Sequence, residues 1–326
     1  MTDLHLHFDG AISPENARRL AGLQGIREYR AADGTLCPVP PEDAVLAREL
    51  RLADGSRDLN DFLKCFALPN ALLKTRVGIE EGMFTLCEEQ RALGLDYAEI
   101  RFAPQLSVVG KTDPRTACEP IRSQREAVEA ALAGMRRSAL KTRLLLCCMR
   151  GAAETVNRET VEVAAEFCGR GVCAIDLAGA EALFPTKAYA ALFRYANELA
   201  VPFTIHAGEA DGAESVAAAL DFGARRIGHG VRALEDMSVV KRLAVNGIPL
   251  ELCPTSNIQT GVFPSLAEFP IRRLLDAGVI VTINSDDPSV CGTNVVEEWR
   301  RLTTAVPLAD AEIKFLRRAS VSSRFD

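Results

Sequence analysis

Eight short apolar segments punctuate the chain: Asp3–Phe8, Asp96–Pro104, Lys141–Arg150, Val172–Gly179, Val201–Glu209, Ala224–Gly230, Ile248–Asn257 and Val279–Pro288. They are runs rather than alternations, the pattern of strands buried on both faces of a parallel sheet. From Lys141 onward their first residues lie 23 to 31 positions apart. The stretches between them, such as Ala210–Phe222, Ala233–Asn246 and Ile271–Ala277, read as helices. Gly94, Gly171, Gly223, Gly247 and Gly278 stand just ahead of strands, where glycine ends a preceding helix. Strand and helix alternating eight times predicts an α/β architecture, a (β/α)₈ TIM barrel.

One interval breaks the rhythm. Almost ninety residues separate the first strand from the second, far more than one crossover helix needs. Pro38, Pro40 and Pro41 follow Gly34 there, and then comes Asp58–Pro69. A helical insertion over the barrel mouth is expected, roughly residues 30–90. No internal repeat, low-complexity tract or linker interrupts the chain, so residues 1–326 are expected to form a single barrel domain.

Composition changes the picture only by exclusion. Apolar residues make up 48% and charged residues 25%, with a net charge of −6. Neither a basic patch for nucleic acid nor a long apolar span for a membrane is present in the sequence. The opening residues lack the basic and apolar regions of a signal peptide. Ten cysteines without a C-x-x-C pair suit a reduced, cytoplasmic chain, and most read as small buried hydrophobes. Cys253 is less clear, because it adjoins one of the motifs below.

All four histidines lie at the ends of predicted strands: His5, His7, His206 and His229. Barrel enzymes put their chemistry on that face. His5 and His7 share one face of a strand, since side chains two residues apart point the same way. His206 adds a third imidazole, and Asp286 or Asp287 at the end of the eighth strand supplies a carboxylate. Three imidazoles and a carboxylate favour zinc, with iron, cobalt or manganese as other occupants. Glu209 follows His206 across Ala207-Gly208, a sharp turn that brings its carboxyl near the metal. His229 sits between glycines that permit close approach.

The motifs are His5-Leu-His7-Phe-Asp9-Gly10, Ala98-Glu-Ile-Arg101-Phe-Ala-Pro104, Asp176-Leu-Ala-Gly179-Ala-Glu181, His206-Ala-Gly-Glu209, Arg226-Ile-Gly-His229-Gly, Cys253-Pro-Thr-Ser-Asn257 and Asn284-Ser-Asp286-Asp287-Pro288. In this order and spacing the chain resembles the adenosine deaminase family of metal-dependent amidohydrolases, in its adenosine branch and of bacterial type. The resemblance implies one zinc ion per chain, held by His5, His7, His206 and Asp286. It implies Glu209 as proton shuttle to purine N1 and His229 as the group that orients water and stabilises developing charge on oxygen. Asp287 would bond N7, the Gly179 N–H would meet N3, and Asp9 would hold the ribose 5′-hydroxyl. Leu59, Phe62, Leu63 and Phe66 resemble the family's hydrophobic lid, their spacing being one face of a helix. The implied reaction is deamination of adenosine, and of 2′-deoxyadenosine, to inosine and ammonia in purine salvage.

The chemistry asks for the same parts. A metal lowers the pKa of bound water towards 7, and a glutamic acid of raised pKa can protonate the ring and then the leaving amine. The H-x-E and P-C-x-x-C signature of the cytidine-type zinc deaminases is absent. The nearest alternative is adenine or another 6-aminopurine, although the motifs read more like the adenosine branch. A lactonase-like hydrolase would carry a bridging lysine at a strand end, and a non-catalytic nucleoside-binding protein would have lost Glu209 or a ligand. The chain departs from the common family pattern at Ala180, Ser285 and Phe269-Pro270. Its lead before His5 and its final helix are expected to be shorter than in many members. The partner is a small purine nucleoside, and oligomeric state is not legible.

Overall fold

Eight strands stand side by side and parallel: β1 (Thr2–His7), β4 (Tyr97–Phe102), β5 (Lys141–Met149), β6 (Val172–Ala178), β7 (Thr204–Ala207), β8 (Arg226–His229), β9 (Leu250–Leu252) and β10 (Val281–Ile283). The computed structural model describes residues 1–53, 62, 64–110 and 118–325. The strands pair as two arcs, β1-β4-β5-β6 and β7-β8-β9-β10. Single bridges join the arcs, Ile175 to Phe203 on one side and Leu6 to Asp286 on the other. At the second seam His7 N donates to Asp286 O and Asp286 N donates to His5 O, both at 2.8 Å. Side chains reinforce it: Ser285 Oγ donates to Asp3 Oδ2 at 2.5 Å, and Leu4 N donates to Asn284 Oδ1 at 3.0 Å. The barrel therefore closes on the very residues that the sequence marks as metal ligands.

The strands are shorter than the apolar runs. Val201–Glu209 contracts to Thr204–Ala207, Ile248–Asn257 to Leu250–Leu252, and Val279–Pro288 to Val281–Ile283. The runs overshoot because the loops leaving the strands are themselves buried. Pro254 and Pro288, which lack an N–H and are preset for a first helical turn, instead open the helices Pro254–Gln259 and Pro288–Cys291. The insertion also needs correction, since it is not wholly helical. An antiparallel hairpin of β2 (Glu28–Arg30) and β3 (Leu36–Pro38) lies within it, ahead of the helix Asp43–Leu50.

Helices cover the outside of the ring, and their ends follow the expected signals. Thr75 accepts from Gly78 N at 3.0 Å to start Arg76–Ala92, and Ser123 accepts from Glu126 N at 3.2 Å to start Gln124–Arg137. Ala213–Phe222 and Met237–Asn246 stop at Gly223 and Gly247, both at positive φ. One apolar core runs between strands and helices. Inside the ring Leu145 and Ala174 pack on Phe325. Among the described residues no helix is long and apolar enough to cross a membrane.

The helices Arg76–Ala92 and Gln124–Arg137 come close together at Gly134. A Cβ there would lie 2.3 Å from the Glu80 carbonyl oxygen, which the helix backbone cannot yield. Gly134→Ala is therefore expected to destabilise the fold by about 1–3 kcal/mol, as overpacking does. Urea denaturation checks this, and a midpoint unchanged from the parent would contradict the close approach.

Candidate active site

The metal-binding residues expected from the sequence come together at one end of the ring. His5 and His7 project from β1, His206 from β7, and Asp286 follows β10. His206 Nε2 lies 3.0 Å from His5 Nε2 and 3.2 Å from His7 Nε2. Asp286 Oδ1 lies 3.2 and 3.5 Å from the same atoms of His5 and His7. All four donor atoms fall within 4.8 Å of one another.

What stands behind the imidazoles decides how they face forward. His5 Nδ1 donates to Glu251 Oε2 at 2.7 Å, and His206 Nδ1 pairs with Asp176 Oδ2 at 2.8 Å. Arg101 bridges the two carboxylates, with 2.8 Å to Asp176 and 2.8 Å to Glu251. Arg226 holds the other Glu251 oxygen at 2.6 Å. Burial pushes the Asp176 carboxyl up, but His206 and Arg101 outweigh it and hold it far below its usual range. Glu251 is likewise held well below by Arg101 and Arg226 against its burial. With a carboxylate behind each Nδ1, His5 and His206 both turn Nε2 forward, and the two atoms lie 3.0 Å apart. Three imidazole nitrogens and a carboxylate oxygen turned to one point, with carboxylates behind two of the rings, are a donor set that fits a metal ion. A second grouping of His5, His229, Cys253 and Asp286 is equally compact. Burial pushes the Cys253 thiol well up, and its Sγ donates to Glu251 O at 3.6 Å, so it is the poorer ligand.

Beside the donors lies a cavity of about 450 Å³. His7, His206, Glu209, His229, Asp286, Asp287, Asp9, Gly179, Phe62 and Phe66 all line it. Glu209 Oε2 is 3.5 Å from His229 Nε2, which is 3.9 Å from Asp286 Oδ2. Burial raises the Glu209 carboxyl above its ordinary value; His229 opposes this and Asp286 adds to it. Asp287 is pushed well up by burial, then by its neighbours Asp286 and Asp9. Asp9 is pushed up to about 6 by burial. Among the described residues, Asp9 and Asp287 each keep one buried carboxyl oxygen without a partner. Phe62 and Phe66 meet with ring centroids 5.5 Å apart. Leu59 and Leu63 lie outside the described residues.

Local backbone explains these placements. His229 and Asp286 adopt φ values of 57° and 63°, the left-handed region that non-glycine residues avoid. Such strain costs about 1–3 kcal/mol and persists only where surroundings fix it. Between the imidazoles, a Cβ on Gly228 would sit 3.1 Å from His5 Cε1, so glycine makes their approach possible. Sequence reasoning gave no role to Glu251, Asp176, Arg101 or Asn257. Asn257 Nδ2 lies 3.1 Å from His229 Nδ1 and donates to it, which turns Nε2 to the cavity. The available signal was charge inside apolar strands, as in Leu250-Glu251-Leu252.

Fold and site together define a metal-dependent hydrolase barrel of the amidohydrolase kind. A family model described as adenosine deaminase matches residues 1–325, and the chain belongs to that family. It is 41% identical to an adenosine deaminase of Haemophilus ducreyi, over 99% of this chain and 91% of the relative. An adenine deaminase from Arthrobacter aurescens superposes with a TM-score of 0.81 at 27% identity, over 100% of this chain and 93% of that one. An Arabidopsis N6-mAMP deaminase gives 0.80 at 25% identity, over 100% and 93%.

Asp176→Asn keeps the shape but removes the charge that His206 and Arg101 lean on. Metal affinity, titrated against a competing chelator, is expected to fall about 10–100-fold. An unchanged affinity would remove Asp176 from the support of the metal centre.

Proposed function

We propose that this chain hydrolyses adenosine, and 2′-deoxyadenosine, to inosine and ammonia, with one zinc ion held by His5, His7, His206 and Asp286. The observation that carries it is the convergence of that donor set, a raised-pKa Glu209 and His229 Nε2 on one wall of a cavity. The relatives named adenosine deaminase support the substrate, at 41% identity against 27% for the adenine deaminase. When bound, zinc lowers the pKa of a water toward neutrality, so that a nucleophile exists at physiological pH.

The side chains do the rest. His229, set by Asn257, points Nε2 at the attacking water and meets the negative charge that grows on its oxygen. Glu209, its pKa raised by burial, gives a proton to purine N1 as aromaticity is lost, and then assists ammonia to leave. Asp287, its pKa pushed well up by burial, bonds N7 from its unpartnered oxygen. The Gly179 N–H meets N3, and Asp9 takes the 5′-hydroxyl. Phe62 and Phe66 cover the ring, the lid role that the sequence also suggests for Leu59 and Leu63. Residues 1–326 work as a single barrel domain, with the insertion supplying this cover.

The test is the ultraviolet absorbance of adenosine and adenine incubated separately with metal-loaded protein. Conversion of adenosine with adenine untouched is expected; conversion of adenine alone would overturn the substrate. Glu209→Gln should retain metal and lose about 10²–10⁴ in kcat, the usual weight of general acid–base catalysis. Because an acid is needed and its pKa is raised, kcat/KM should fall as pH rises through that pKa, and a rate still climbing there would exclude Glu209 as the acid.

A further inference from the structure

We infer that Glu181 is the positioning residue for Glu209: its carboxylate clamps the loop that carries the proton shuttle and ties it to the loop that carries Gly179. The inference rests on the function proposed above and adds a residue to it. Glu181 is 3% exposed and lies two positions after Gly179, beyond β6. Its Oε1 accepts from Gly208 N at 2.7 Å. Its Oε2 accepts from Glu209 N at 3.0 Å, Ala210 N at 2.7 Å and Asp211 N at 3.1 Å. Ser215 Oγ donates to Oε1 as well. Four successive backbone N–H groups thus converge on one side chain from a different loop.

Physical reasons separate this from ordinary loop packing. A loop of this kind has no ladder to satisfy its N–H groups, and buried ones must find acceptors. An anion satisfies all four at once, with charge-assisted bonds stronger than neutral ones. Five donors fill the lone pairs of the carboxylate, so Glu181 lines the cavity without an acceptor site open to substrate. Its effect on the reaction must pass through the loop. The clamp is braced in turn: Ser215 Oγ lies 2.6 Å from Thr186 Oγ1, which accepts from Arg150 at 2.9 Å. Arg150 also donates to the His206 carbonyl at 2.6 Å. Opposite the loop, Arg232 donates to Glu209 O at 2.9 Å. The Glu209 backbone is thus held at its N–H and at its carbonyl, while its carboxyl end is left to meet the substrate.

Glu181→Gln tests the clamp, because the amide can serve one group of N–H donors but turns its own donors on the other. The expected result is a fall in kcat of about 10–100-fold, the scale of a displaced catalytic group, with metal content unchanged. KM should move by no more than about threefold, since ground-state binding is left alone. The double variant Glu181→Gln/Glu209→Gln should be no slower than Glu209→Gln by itself, because the clamp acts only through Glu209. Losses that multiply in the double variant, or a Glu181→Gln enzyme with parental kcat, would overturn the inference. Amide hydrogen exchange decides independently of turnover: residues 208–211 should exchange faster in Glu181→Gln, and unchanged protection would remove the clamp. Wild-type protein inert toward adenosine would strike the functional reading alone and leave the exchange experiment to judge Glu181.

Discussion

Glu251 is the point on which the centre of the molecule depends. One fully buried carboxylate accepts from His5, Arg101, Thr204 and Arg226. It joins β1, β4, β7 and β8 through the middle of the ring. Taking its charge away would leave Arg101 with Asp176 alone and Arg226 with Glu99 alone, and each broken buried pair costs about 3–5 kcal/mol. Its role is at once structural and chemical. The bond that locks the strands together also fixes the orientation of His5.

The same network sets the electrostatics of the chemistry. Arg101 and Arg226 face Glu99, Asp176 and Glu251 beneath the site. Three carboxylates against two cations leave an excess of negative charge under the imidazoles, which favours a metal cation above them. On the cavity side the balance reverses. Glu209, Asp287 and Asp9 all have raised pKa values because they are buried away from those cations. Carboxyl groups of one type are therefore held low below and pushed up above, and the difference is environment alone.

The periodic part of this design was legible in the sequence. Apolar runs gave all eight strands, and histidines at their ends marked the face where the structure gathers a compact donor cluster and a cavity. Strand limits failed where buried loops continue the apolar pattern, as after Leu252 and Ile283, and proline was the better guide to the true boundary there. The β2–β3 hairpin was missed because three-residue strands carry too little pattern. The hidden supports were missed for another reason. Glu251, Asp176 and Asn257 act on residues that lie far away in sequence, and only the closed ring shows which imidazole each one meets. Glu181 was read as part of a motif, but its partners are main-chain groups, which leave no signature in side-chain spacing.

Anomalous diffraction from crystals of the zinc-loaded protein tests the central claim most directly. A single peak is expected about 2.0–2.2 Å from Nε2 of His5, His7 and His206 and from an Asp286 oxygen, the distances of ordinary zinc coordination. A peak bound instead by His229 and Cys253, or a fully loaded protein with no peak between the three imidazoles, would contradict the account.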